Sequence, residues 1–333
     1  MIASYEARKP MKRAAFVLVA GAILVCACRS AVAPKPMLGI ALSAGPDLSR
    51  FRTALVRAAA GKAQLSILYA GARQTVQNSQ VDGLLERKPK ALAVDLILVE
   101  AASFVIDKCK AAIVPLVLFG APVGADDMKK WDKVYFVGSK PDEAAALEGK
   151  TLAAWWKDHR DLDRNGKIRF VYLGGTDSAS EAAACEKGMA ESGAGAVLLG
   201  HAAAQGRAEG AREMDALLAA YGRRLGAVAC DDDETALGAV DALRAKGYLG
   251  GKRTLPVVGI GATPEALAAI KDGSLVGTAW KDVEGQAKAV FDLSTALASG
   301  IEPSRTGWPL TDGKYVWVPY RMVTARNLSD YRD

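Results

Sequence analysis

The side chains of this sequence that could do chemistry are mainly carboxylates. Asp231, Asp232 and Asp233 follow the apolar run LGAVAC and open the helically spaced stretch DETALGAVDALRAKG. Acids at such a junction can hold a polar or cationic solute, or they can cap and charge a helix N-terminus, where exposed N–H groups favour negative charge. At least one of the three is expected only to cap. A second group, Asp161-Leu162-Asp163-Arg164-Asn165-Gly166-Lys167, reads like the first half of an EF-hand: oxygen side chains at positions 1, 3 and 5, a turn glycine, then a backbone carbonyl. Asp161, Asp163, Asn165 and the carbonyl of Lys167 are therefore candidate calcium ligands. Arg169 stands where the ninth position needs an oxygen, so the alternative is a polar turn in which Arg169 neutralises Asp161 and Asp163. Catalytic patterns are missing. The two histidines, His159 and His201, have no HExxH partner, there is no GxSxG elbow, and Gly259-Ile260-Gly261 runs straight into Thr263-Pro264 as strand-to-helix punctuation. The expectation is a protein that is not an enzyme and requires no cofactor.

The elements around these residues begin with an export signal. Lys12 and Arg13 precede the apolar run Ala14–Val25, which has the length of a signal-peptide core and is too short to span a bilayer as an ordinary helix. Val25-Cys26-Ala27-Cys28 resembles a bacterial lipobox, so residues 1–27 are expected to be removed and Cys28 lipidated, with 28–36 as a Pro-containing tether. The alternative is an ordinary secretory signal with an incidental cysteine. Either way the chain is expected in the periplasm or at the cell surface, held to a membrane by lipid if Cys28 is acylated. Four cations and one anion of the formal +6 lie in the first 27 residues, leaving only +3. That remainder is dispersed and argues against nucleic acid. Cys109, Cys185 and Cys230 sit in apolar or helical stretches and read as buried thiols.

Beyond the tether, apolar strand-like runs alternate with helical spacing: LGIALSA, LSILYAG, ALAVDLI, IVPLVLFG, KVYFVGS, KIRFVYLGG, GAVLLGHA, LGAVACD, LPVVGIGA, SLVGTAW and KYVWVPYRMV. Strands apolar throughout must be covered on both faces, and strict alternation predicts parallel, doubly wound α/β sheets. About ten strands are more natural in two lobes than in one sheet. Thr263, Pro264 and Gly273 predict the cap, first residue and end of one helix. In such folds ligands lie beyond the carboxyl ends of strands, which directs attention to the loops near Ser43, Asp95, Gly120, Gly175, Asp231, Gly261 and Lys281.

The segments VDGLLERKPKALAVDL, DKVYFVGSKPDE, DLDRNGKIRFVYLGG, TPEALAAIKDGSLVGTAWKDVEGQAKAVFDL and KYVWVPY resemble the galactose/glucose-binding branch of the type 1 periplasmic sugar-binding proteins, from about Gly39 to Tyr320. The resemblance implies the type I periplasmic binding protein fold: two Rossmann-like lobes joined by a three-segment hinge near Ser139, Lys281 and Val318. One lobe would be 37–139 plus 281–317 and the other 140–280 plus 318–333. It implies a monomeric receptor that closes on a small-molecule solute and delivers it to an ABC permease in the inner membrane, in some members also to a chemoreceptor. A purely sensory lipoprotein, or a paralogue that no longer binds, is the alternative.

Carried over by position, little of the family's sugar pocket remains. Ser43 stands for an aromatic, Gly120 for an amide, Ala179 for a histidine, Glu181 for an aspartate, Cys185 for an arginine, Gln205 for a stacking tryptophan, Asp232 and Lys281 for amides, and Gly261 for a carboxylate. The calcium-completing glutamate is replaced by Gly226. The groups expected at the cleft are Ser43, Asp47, Asp177, Glu181, Gln205, Asp231, Asp232 and Lys281, with Phe119 and Trp280 as platforms. Trp280 reads equally well as a packed hinge residue. An acid-rich set with one lysine hints at an amino-bearing or cationic solute, or at a larger ligand filling the space left by the small residues.

Overall fold

The alternating runs fold into two six-stranded sheets, each sandwiched by helices. The computed structural model describes residues 35–45, 47–159, 166–175, 178–250 and 254–331. The first sheet contains β1 (Met37–Leu42), β2 (Gln64–Tyr69), β3 (Ala91–Asp95), β4 (Leu116–Phe119) and β5 (Val134–Gly138), with α1 (Leu48–Ala59), α2 (Gln74–Glu86), α3 (Ala102–Ala111) and α4 (Ala125–Met128) between them. The second half runs α5 (Pro141–Asp158), β6 (Lys167–Gly174), α6 (Ser178–Glu191), β7 (Gly195–Ala203), α7 (Arg207–Tyr221), β8 (Ala227–Cys230), α8 (Asp233–Ala245), β9 (Val257–Ile260), α9 (Pro264–Lys271) and β10 (Gly277–Trp280). The chain then places α10 (Val283–Ala298) and β11 (Tyr315–Trp317) on the first sheet and β12 (Arg321–Val323) on the second.

The spatial orders are β11-β5-β4-β3-β1-β2 and β12-β10-β9-β8-β6-β7, so both sheets carry the doubly wound order with a switch point beside their first strand. All pairs are parallel except β10 with β12. The apolar strands are explained by two-sided cover. In β1, Leu38, Ile40 and Leu42 join the core under α1 and α10, while Ala41 faces the core under α2 and α3. In β6, Val171 and Leu173 face α7 and α8, whereas Ile168, Phe170 and Tyr172 face α5 and α6. The predicted cap of α9 is present: Ala266 N–H donates to Thr263 Oγ1 at 3.3 Å, and Gly273 follows the helix at φ +80°.

One expected strand is corrected. KYVWVPYRMV is not a single element but β11 and β12 in different sheets, because Pro319 offers no N–H for a ladder and the chain must cross there. Three connections join the two sheets: Ser139–Lys140, Lys281–Asp282 and Val318–Tyr320. A buried hydrogen-bond chain involves all three. Gln286 Nε2, on the helix opened by the second crossing, donates to Ser139 Oγ at 2.9 Å, and Ser139 Oγ donates to the Val318 carbonyl at 2.6 Å.

Candidate functional site: the switch-point cleft

At the first sheet's switch point, Ser43 follows the end of β1 and β3 ends at Asp95. Both the backbone N–H (3.3 Å) and the hydroxyl of Ser43 donate to Asp95 Oδ2. Gln77, fully buried, donates to the Asp95 carbonyl at 2.7 Å and so holds the strand end in place. Burial raises the Asp95 pKa, opposed by the two Ser43 hydrogen bonds and by the charge of Lys281. Gly120 has φ +92°, and a Cβ there would stand 2.5 Å from Asp95 Oδ1. The glycine found at the family's amide position thus makes room for a carboxylate supplied by the neighbouring strand. Around this point lies a cavity of about 490 Å³ whose walls include Ser43, Asp47, Asp95, Phe119, Lys281 and Gln286. Phe119 is stacked on Phe51 at 4.8 Å, which sets it as an apolar wall. Asp47 precedes α1 without making a side-chain cap, and its carboxylate lies 3.8 Å from Lys281 Nζ.

The second lobe repeats the device. The β6–β8 register pairs Leu173 with Cys230, and one step on, Gly175 N–H donates to Asp231 Oδ2 at 2.6 Å. Asp231 therefore occupies the place in this lobe that Asp95 holds in the other. A Cβ on Gly174 would stand 2.8 Å from the Asp231 carboxylate, so only glycine admits the acid there. Asp231 is raised to about 7: burial is the largest cause, Gly175 opposes it, and Asp232 and Glu181 add to it. Its Oδ1 is buried and has no hydrogen-bond partner among the described residues. Gln205 Nε2 lies beside Gly175, 3.6 Å from where a Cβ would stand.

The other predicted residues separate by role. Asp232 accepts from Thr235 N (2.8 Å) and Thr235 Oγ1 (2.5 Å), the helix-capping alternative, and Asp233 is buried between Thr278 Oγ1 (2.6 Å) and Thr263 N (2.8 Å). Trp280 does not line the cavity. Its ring meets Tyr331 edge-on at 5.2 Å and the Arg321 guanidinium at 5.9 Å, so its surroundings fit the packed-hinge role. Glu181 lies in the first turn of α6, close enough in charge to act on Asp231 and Tyr320. Asp177, Cys28 and the loop residues Asp161, Asp163 and Asn165 lie outside the described residues. Lys167 opens β6, with its α-carbon registered against Gly195 of β7. Among the described residues, no group of three or more His, Cys, Asp or Glu is placed to hold a metal.

The sequence marked Asp95 as the start of a loop beyond a strand end without naming it as a site residue, and it did not pick out Gln286, Tyr320 or Glu148. Gln286 was visible as a polar residue on the apolar stripe Val283, Ala287, Val290. Tyr320, whose pKa is raised by burial and then by Asp47, Glu143 and Glu181, had no signal beyond its place after Pro319. Glu148 is fully buried on α5, and nothing in its spacing announced that.

Known proteins place this architecture. Residues 48–302 match the periplasmic binding protein domain family. The chain is 35% identical over 267 residues to the D-galactose/methyl-galactoside binding periplasmic protein of Haemophilus influenzae, covering 78% of this chain and 79% of that one. In fold it is similar to an ABC transporter solute binding protein from Bacillus halodurans solved with myo-inositol (TM-score 0.68, 24% identity, covering 90% of this chain and 97% of that one). It is also similar to a periplasmic solute binding protein from Actinobacillus succinogenes solved with D-allose (TM-score 0.71, 17% identity, covering 89% and 100%). The chain therefore belongs to the periplasmic binding protein family, a family of solute-binding proteins and not of enzymes.

Proposed function

We propose that this protein is a lipid-anchored monomeric receptor that closes two lobes, 37–139 with 281–317 and 140–280 with 318–333, on a small hydroxylated solute and hands it to an inner-membrane permease. The observation that carries the reading is the matched pair of switch-point carboxylates. Asp95 and Asp231 end equivalent strands in the two sheets, each held by the backbone N–H that follows its neighbouring strand. A solute touching both would be bonded to both lobes at once, and contacts available only when the lobes meet favour the closed state. The relatives' named ligands, D-galactose and methyl-galactoside, agree with a hydroxyl-rich class. Ser43, Asp47, Lys281 and Gln205 would complete the polar contacts, and Phe119 the apolar one. The anchor would be Cys28, and calcium would not be required.

Small-angle X-ray scattering of the mature protein against a panel of monosaccharides and polyols tests this. A solute that binds in calorimetry and reduces the radius of gyration supports it, whereas binding without compaction refutes closure.

A further inference from the structure

The first-lobe cavity and the hinge share one side chain. Gln286 stands one turn into α10, the helix that begins as the chain leaves its second crossing. Asp282 caps that helix by accepting from Gly285 N–H at 2.7 Å, and Gln286 N–H donates to the Asp282 carbonyl at 2.9 Å. The Gln286 residue is only 4% exposed, yet with Lys281 and Val283 it forms part of the cavity wall. Its amide also reaches Ser139 on the first crossing, a buried residue that is not part of that wall.

The hydrogen bonds fix which end of the amide faces which group. Ser139 has one hydroxyl proton and gives it to the Val318 carbonyl, which has no proton to return. Ser139 Oγ therefore takes its donor from Gln286, so the amide nitrogen faces the hinge and the oxygen is left for another partner. Among the described residues nothing donates to Gln286 Oε1, and it is not one of the orphaned oxygens closed off from solvent. A largely buried amide in the cavity wall thus spends a donor on the hinge and keeps an acceptor for whatever occupies the cavity. The chain of bonds has one direction. A donor on Oε1 makes the amide N–H a stronger donor to Ser139, and that bond in turn makes the Ser139 hydroxyl a stronger donor to Val318. Val318 N–H donates to the Gly138 carbonyl at 2.8 Å, so the first and third crossings are tied together at this point.

We propose that Gln286 couples the solute to the hinge: a hydroxyl or N–H of the bound solute donates to Gln286 Oε1, and the relay through Nε2 and Ser139 fixes Val318. The proposal rests on the reading of the chain as a receptor that closes on a small hydroxylated solute. It makes Gln286 a solute contact, and Ser139 a positioning residue that acts only through it.

Titration calorimetry with D-galactose, D-allose and myo-inositol tests it on the unaltered protein, Gln286→Met, Ser139→Ala, Ser139→Thr and the double variant Gln286→Met with Ser139→Ala. For whichever of the three solutes the unaltered protein binds, Gln286→Met is expected to weaken binding roughly tenfold or more, a loss of about 1.4 kcal/mol. Ser139→Ala, which leaves the cavity wall intact, should weaken it roughly threefold or more, and Ser139→Thr, which keeps the hydroxyl, should restore it. The double variant should lose no more than Gln286→Met alone, because Ser139 has no route to the solute without the amide. Melting curves without solute are the folding control, and if Gln286→Met does not fold, the two Ser139 variants decide. Losses that multiply in the double variant, or a Ser139→Ala protein that melts lower but binds with unchanged affinity, overturn the relay and leave the receptor reading intact. No binding of any of the three solutes by the unaltered protein overturns both.

Discussion

The acid run at 231–233 shows how three identical side chains acquire three jobs. Asp232 caps α8, Asp233 ties the start of α8 to Thr263 and Thr278, and of the three only Asp231 keeps an oxygen without a partner among the described residues. The environment of Asp231 makes a pH prediction. Its folded pKa, about 7, is above the ordinary 3.8, so the folded state binds the proton more tightly than the unfolded chain does. The group therefore favours folding most at low pH, and that contribution is lost as pH rises from near 4 through about 7. Asp231→Asn should raise the melting temperature of the ligand-free protein more above pH 7 than at pH 5, read by thermal melts across the pH series; an equal effect at both would show that the burial is not felt. In the other lobe, Gly120→Ala should weaken solute binding, since a Cβ 2.5 Å from Asp95 Oδ1 pushes that carboxylate out of place and φ +92° is costly for alanine.

At the scale of elements, helix pairs in the second lobe approach through glycine. A Cβ at Gly149 on α5 would lie 1.9 Å from the Cys185 carbonyl on α6, and one at Gly188 would lie 2.1 Å from Ala146 O. Gly149→Ala must therefore separate the helices, at a cost of about 3 kcal/mol. The control is Gly83→Ala on α2, whose Cβ meets nothing within 4 Å and which should gain about 0.5–1 kcal/mol from reduced backbone entropy. Chemical denaturation of both variants decides the matter: similar midpoints would mean that α5 and α6 are not closely docked. The hinge gives a second prediction at this scale. Ser139→Ala leaves Gln286 Nε2 and the Val318 carbonyl without their shared partner, at about 1–3 kcal/mol per orphaned buried group. It should lower the melting temperature and broaden the distribution of distances between spin labels on the two lobes.

At the scale of the whole molecule, the sequence carried the architecture because its signals are local and repeated. Apolar strands covered on both sides, helical spacing between them and the cap at Thr263-Pro264 each reflect a backbone preference or a period that survives without knowledge of neighbours. The export signal expected in residues 1–27 would be equally local, and on the proposed anchoring Cys28→Ala should move the protein from the membrane fraction to the soluble one on cell fractionation. What the sequence could not show was which polar residues meet. Asp95 and Asp231 lie 136 positions apart, and their equivalence exists only because both sheets adopt the same strand order. The split of KYVWVPYRMV between two sheets, the turning of Trp280 onto Tyr331 and the complete burial of Glu148 depend likewise on distant partners. Period and propensity are properties of neighbouring residues in the chain, and they determined the two-lobed α/β frame. Hydrogen bonding and desolvation depend on which atoms face one another across the fold, so the tertiary structure alone decided which carboxylate caps a helix, which is paired with threonines and which is buried with an oxygen lacking a partner among the described residues.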